Sequence, residues 1–363
     1  MAISIDERVQ LRETVRDLLQ ARSGEQDLRR VITTDEVYDR DLWAEMGELG
    51  ILGIVIAEEH GGTGLGPVEL EEAAEEMGAA LLSSPFLGSS VLTAALVDAA
   101  GTDADRARLL PGLADGSTIG AAALTGPAGT WTADGVDVEA APDGALTGAA
   151  RYVLYGQSAD LLLVAARTAD GIGVFEVAPD AAGLVRTRLD TLDPTVQLSD
   201  LSFAGTPSRR LGSAGWEAIR RALDLATVAL AGEQAGGARR VFDLTVEYLK
   251  VRYQFGRPIG SYQALKHIAV DRLLDVESAI SAARHAAEAL ERGEDVGSAV
   301  ALAGFTAADG YDRVAMTAIQ LHGGIAFTWE SFPHFFLRRA RLDRQLLGSS
   351  RDFRERYLVA KGA

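Results

Sequence analysis

The chain has no cysteine. That excludes disulfides, thiolate metal ligands and a cysteine nucleophile, and it leaves the redox compartment open. Prolines are scarce, 10 in 363 residues, which rules out a collagen-like or proline-rich disordered chain. Bases are in the minority as well, 35 Lys and Arg against 52 Asp and Glu, for a formal net charge of −17. Nucleic acid and anionic membranes both reward a basic face, so neither is expected as a partner, although a local basic site for an anionic ligand stays open. No apolar run reaches membrane-spanning length, and residues 1–30 mix acids and bases unlike a secretory leader. A cytoplasmic protein without a metal site is expected.

What is present is the composition of a globular protein, 47% hydrophobic and 24% charged, on a chain longer than one hydrophobic core usually serves. From Ile5 to about Ala100 apolar residues recur at helical spacing, as at Val9, Leu11, Val15, Leu18 and Leu19, broken by the glycine loop "EEHGGTGLG". Residues 1–117 are therefore expected as an α-helical domain. Residues 118–212 read as an antiparallel β-domain, with short runs such as "ARYVLYG" and "ADLLLVAAR" between Gly, Asp and Pro clusters. Residues 213–363 return to long helical patterns, about 216–252, 262–292, 296–320 and a last one around 332–347, which suggests an antiparallel four-helix bundle.

Two segments carry chemistry. "VRYQFGRPIGSYQALKH" ends one helix and begins the next, with Gly256, Pro258 and Gly260 as punctuation and Ser261 as the expected N-cap. Arg252, Gln254 and Gln263 place a charge and amide donors around that turn. "QLHGGIAFTWE" follows a later helix, and Gly323–Gly324 reads either as a left-handed helix stop or as bare backbone that an anion can approach.

In this order, behind helices and a β-domain, the two segments resemble the acyl-CoA dehydrogenase family, which carries an R-x-x-F-G…F-Q turn and a Q-x-x-G-G turn. "LWAEMGELGILGIVIAEEHGGTGLGPVELEEAAEEMG" resembles the same family's N-terminal domain, with Ala57 where proline is usual. The resemblance implies a mixed α and β fold of the acyl-CoA dehydrogenase kind, and an FAD enzyme. Such an enzyme removes an α-proton and a β-hydride from an acyl thioester of CoA or a carrier protein, leaving a trans-2-enoyl product. An electron-transfer flavoprotein or similar acceptor would take the electrons. In that family the FAD adenosine and diphosphate lie across a subunit interface. The resemblance therefore assigns Arg252, Phe255, Gln263, Gln320, Gly323 and Gly324 to a neighbour's flavin; an arginine's planar donors suit a diphosphate.

Elsewhere the chain departs from the pattern. The family's T-E-P-x-x-G-S-D loop over the flavin corresponds to "LTGPAGTWT", where Thr125, Pro127 and Gly129 survive but Gly126 replaces the acid. Thr125 is carried over as a cofactor residue. The following strand has Tyr152 for a tryptophan and Leu154 for the flavin-facing threonine. The base is a larger departure, since abstracting a proton α to a thioester needs a positioned carboxylate. Its two family positions hold Leu347 and Ala226, with Thr227 where an arginine is common. Asp343, one turn before Leu347 on a continuing helix and expected to pair with Arg341 or Arg344, and Glu233, on the face of Ala226 amid small residues, are the alternative acids. His267, His322 and His334 read as structural.

Three functions remain open on the sequence. One is a base-less subunit of a heteromeric acyl-CoA dehydrogenase with a second dehydrogenase-like subunit, resembling the smaller-subunit type of actinobacterial heteromers acting on bulky acyl-CoA. Another is a homomeric enzyme with a displaced base. The last is a fold reused for a scaffold or non-redox biosynthetic role.

Overall fold

The computed structural model describes residues 4–35 and 37–362; Met1 and Ala363, the outer limits of the first and last expected domains, lie outside them. Six helices come first: α1 (Ile5–Arg22), α2 (Glu25–Val31), α3 (Arg40–Glu48), α4 (Pro67–Ala79), α5 (Ala94–Ala100) and α6 (Asp103–Asp115). A π-helical stretch, Leu87–Thr93, leads into α5. Then follow β1 (Gly120–Ala123), β2 (Glu139–Ala140), β3 (Leu146–Leu154), β4 (Leu161–Thr168), β5 (Gly171–Val177), β6 (Leu184–Arg188), β7 (Leu198–Thr206) and β8 (Arg209–Arg210). The rest is helical apart from a hairpin, β9 (Tyr253–Gln254) and β10 (Arg257–Pro258): α7 (Trp216–Val251), α8 (Gln263–Arg292), α9 (Val296–His322), α10 (Pro333–Asp343) and α11 (Ser350–Ala360).

Contacts divide the chain into two compact units. The first, Arg30–Gly66 with Ser83–Ala226, is built on an eight-stranded sheet of order β6-β7-β3-β2-β4-β5-β8, with β1 beside β4. Most neighbours are antiparallel, as the alternation predicts, but β1 and β2 run parallel to β4. A parallel pair needs a long connection, and the chain between Ala123 and Leu161, which contains β2 and β3, supplies it. Leu162, Val164 and Ala166 pack with Leu146, Phe175, Leu201 and Phe203 on one face. Leu161, Leu163 and Ala165 are buried on the other. Burial of both faces explains why "ADLLLVAAR" is continuously apolar instead of alternating.

The second unit is helical and takes α1 and α4 together with Thr227–Ala363. The run of small residues at 232–237 predicts close helix packing. Its reason is visible: a Cβ on Gly236 would lie 1.8 Å from the Glu75 carbonyl oxygen, and one on Gly78 1.8 Å from that of Glu233. The backbones of α4 and α7 touch there. Arg12, Arg16 and Arg284 ring the Glu75 and Glu76 carboxylates of α4 at 2.7 to 3.2 Å. The helix expected around 332–347 is α10, which ends four residues early, and a further helix, α11, lies beyond it. α10 stops at Asp343, and α11 begins on a capping box in which Ser349 and Asp352 exchange hydrogen bonds.

Candidate functional site

After α7 the chain reverses through β9 and β10, with Gln254 paired to Arg257. Both residues between them have positive φ, Phe255 at 52° and Gly256 at 79°. That geometry matches the twist of a tight hairpin. Glycine adopts it freely, whereas a left-handed phenylalanine costs about 1–2 kcal/mol. The Phe255 ring is nevertheless 94% exposed. Tyr262 stiffens the turn from within: its hydroxyl donates to the Gln254 carbonyl at 3.1 Å and its ring carries the Arg257 guanidinium at 4.0 Å. Ser261 is not the helix cap that its position suggests. Its hydroxyl donates back to the Pro258 carbonyl, and Tyr262 takes the cap position without a side-chain bond.

The second segment follows α9. Gly323 has φ 69° and ψ −149°, so it is not the left-handed stop that its sequence allows. A Cβ on Gly323 or Gly324 would meet nothing within 4 Å, which leaves this backbone open to approach. Tyr248 and His322 join the two segments. Their rings stack at 4.3 Å, and the tyrosine hydroxyl donates to the His322 carbonyl at 3.3 Å. Burial lowers the pKa of His322, so its neutral ring donates from Nδ1 to the Ala318 carbonyl at 2.8 Å. The structure thus brings the end of α7 and the end of α9 together. The Arg252 guanidinium and the carboxamides of Gln263 and Gln320 are exposed, with no hydrogen bond or ion pair among the described residues. Ile325, Phe327 and Trp329 continue this surface as exposed apolar side chains.

At the opposite extreme of exposure is Leu347. Its φ is 61°, followed by Gly348 at 138°, and its side chain is only 5% exposed. The turn is bolted to α9 by charge: Arg344 reaches Asp309 at 3.2 Å and Asp312 at 3.1 Å, Ser350 donates to Asp309 at 2.8 Å, and Arg354 also binds Asp309. Because α10 ends at Asp343, the continuing helix that would put Asp343 and Leu347 on one face does not form. Asp343 is itself buried, and the arginines expected to pair with it, Arg341 and Arg344, point to Asp312 and Asp309. Glu233 binds Arg339, a buried guanidinium that also donates to the Leu82 carbonyl at 3.1 Å. Ala226 is fully buried.

In the sheet unit, β3 shifts register between Ala150 and Val153, and Tyr152 sits in that bulge at φ 57°. Thr125 is buried, and its hydroxyl donates to the Arg151 carbonyl at 2.7 Å inside the bulge. Leu154 is buried beneath the π-helical stretch, where a Cβ on Gly88 would come within 2.9 Å of the Leu154 Cβ.

Residues 5–117 match the acyl-CoA dehydrogenase N-terminal domain and residues 213–356 the C-terminal domain. The acyl-CoA dehydrogenase IpdE2 of Mycobacterium tuberculosis is 36% identical over 362 residues, covering 96% of this chain and 95% of that protein. The chain belongs to the acyl-CoA dehydrogenase family. Among solved structures, the ChsE4-ChsE5 complex from Mycobacterium tuberculosis superposes with a TM-score of 0.91 at 29% identity, covering 100% of this chain and 99% of that one. A G363A variant of the Tcur3481-Tcur3483 steroid acyl-CoA dehydrogenase gives 0.90 at 32%, covering 98% of each.

For a member of this family the polar inventory is lopsided. The exposed Arg252, Gln263 and Gln320 beside the open glycines form a donor set suited to an anionic dinucleotide such as FAD. At Leu347, Ala226 and Leu154 there is no ionisable or hydrogen-bonding side chain. Two parts of this arrangement escape motif reading. Tyr248 gives no signal because it precedes its motif, and Asp309 holds a turn 41 residues away.

Proposed function

We propose that this chain is the base-less subunit of a heteromeric acyl-CoA dehydrogenase, lending FAD contacts to a second subunit of the same family. The observation that carries it is the asymmetry between donors around Arg252 that are unpartnered among the described residues and shut apolar positions at Leu347, Ala226 and Leu154. The ChsE4-ChsE5 complex and the two-component steroid dehydrogenase among its structural neighbours support the pairing. The Tcur3481-Tcur3483 steroid dehydrogenase also favours a bulky steroid-type acyl thioester as substrate. Arg252 would neutralise the FAD diphosphate with its paired N–H donors. Gln263 and Gln320 would orient polar edges of the cofactor, and the Gly323–Gly324 amides would close on its anionic part. Bound FAD supplies the hydride acceptor for α,β-dehydrogenation; this chain's Leu347 can take no proton, so the carboxylate base comes from the partner. An electron-transfer flavoprotein would accept the electrons. The homomeric alternative needs Glu233 or Asp343 as base, yet the first is bound to Arg339 and the second is buried.

The test is to purify the chain alone and together with a candidate second subunit of the same family from its host, reading flavin absorbance and enoyl-thioester formation. Flavin and turnover are expected only in the pair, and Arg252→Ala in this chain should weaken FAD retention by roughly tenfold or more, as for other charge-assisted contacts. A homo-oligomer of this chain alone with stoichiometric FAD and full turnover would overturn the assignment.

A further inference from the structure

The sheet-centred unit contains a cavity of about 410 Å³ bounded by Val55–Ala57, by α5 and α6, and by the first turns of α7. That volume lies in the ordinary range for small-molecule sites. Val55, Ile56, Leu110 and Leu225 supply apolar side chains to a half-open lining whose exposed surface is about half polar, and alanines on α5 and α7 leave the space between them.

Only three of the lining residues are polar: Asp98, Arg106 and Arg221. Arg106 is already committed, donating twice to the Asp98 carbonyl at 3.0 and 2.8 Å and once to Asp103 at 2.8 Å. Arg221 is exposed, and its guanidinium has no hydrogen bond or ion pair among the described residues. On a chain with a net charge of −17, this mouth carries two guanidiniums and one carboxylate.

These properties select among ligand classes. No Ser, Thr, Asn, Gln, Lys or His lines the cavity, so a sugar or nucleobase entering it would find few neutral side-chain partners for the hydrogen bonds it gives up to water. A diphosphate would find one free guanidinium and no glycine loop. An unbranched apolar tail ending in a single carboxylate fits both halves: the tail removes apolar wall from water, and the head pairs with the planar donors of Arg221. We propose that this cavity is a binding site for a free apolar carboxylate of medium chain length. Nothing in the assignment depends on the FAD-lending role, so either can fail without the other.

Dodecanoate titrated into the full chain below its micellar concentration, followed by calorimetry and by the carboxyl carbon resonance of labelled ligand, tests it. One saturable site is expected. Arg221→Gln, an exposed substitution that leaves the core untouched, should weaken it by about tenfold or more, as loss of a charge-assisted hydrogen bond implies. Ala99→Phe, which fills the cavity, should abolish binding; Ala95→Leu serves the same purpose if that variant does not fold. Dodecan-1-ol should bind at least tenfold more weakly than dodecanoate. Absence of saturable binding, equal affinity of wild type and Arg221→Gln, or equal affinity for acid and alcohol would each overturn the proposal.

Discussion

Two turns in the helical unit have the same unusual backbone and opposite surroundings. Phe255 and Leu347 are both non-glycine residues at positive φ, 52° and 61°, each followed by a positive-φ glycine. Leu347 is buried and its turn is tied down by Asp309, Asp312, Arg344, Ser350 and the capping box of α11. Phe255 stands in solvent, and its turn ends in a guanidinium and carboxamides that nothing in the described chain engages. Strain at Leu347 is offset inside the molecule. At Phe255 Tyr262 braces the backbone of the turn, but among the described residues the side chain itself meets nothing that offsets its strain, and the proposed partner contact would supply that.

The sharpest way to break that contrast is to unbolt the buried turn. Asp309→Ala removes the acceptor shared by Ser350, Arg344 and Arg354; Arg344 keeps Asp312, but Arg354 loses its carboxylate and the buried Ser350 hydroxyl its acceptor, so it should cost roughly 2–3 kcal/mol in urea unfolding. A loss under about 1 kcal/mol would show that the turn holds itself.

A second test asks how self-sufficient the interior is. Glu71, on α4, is 1% exposed, and burial with the nearby Glu75 charge raises its pKa to about 8. Its folded pKa lies above its unfolded value near 4.5, so the folded state holds the extra proton between the two. Stability should therefore fall as pH rises from about 4.5 towards 8 and level off above. Glu71→Gln should flatten that slope, by on the order of a few kcal/mol between its ends. Parallel pH profiles of the urea midpoint for the two proteins check it, and an unchanged slope would remove Glu71 as its source.

The smallest effect belongs to the exposed turn. Phe255→Gly relieves the left-handed strain and loses no buried contact, so the lone chain should change by about 1 kcal/mol or less, in the stabilising direction. On the proposed pairing, the same variant should bind the second subunit more weakly. Clear destabilisation of the lone chain would mean that Phe255 already has its packing partner.

Much of the fold is legible because it follows from periodicity. Helical spacing marks α1, α7, α8 and α9, and Gly and Asp clusters mark the strand ends. What escapes is set by contacts distant in sequence. "LDRQLLGSS" reads as a helix end because Leu carries no turn signal, yet Asp309, on another helix, holds a left-handed leucine there. The parallel pairing of β1 with β4 likewise depends on where a long connection returns. For the site, the sequence names Arg252, Gln263, Gln320 and the glycine pair. Only the structure supplies the Tyr248–His322 stack that joins them, and only the structure shows Glu233 engaged by Arg339.

The exposed aromatic edge of this chain also sets a condition on the cell that makes it. Phe255 and Phe327, at 94% and 81% exposure, are the kind of surface that quality-control chaperones and proteases read as unfinished. Copies made without the proposed partner would present that surface continuously. On the proposed pairing, supply of the two subunits in step would avoid that exposure, and the half-life of a copy made alone would measure how completely a partner covers Phe255.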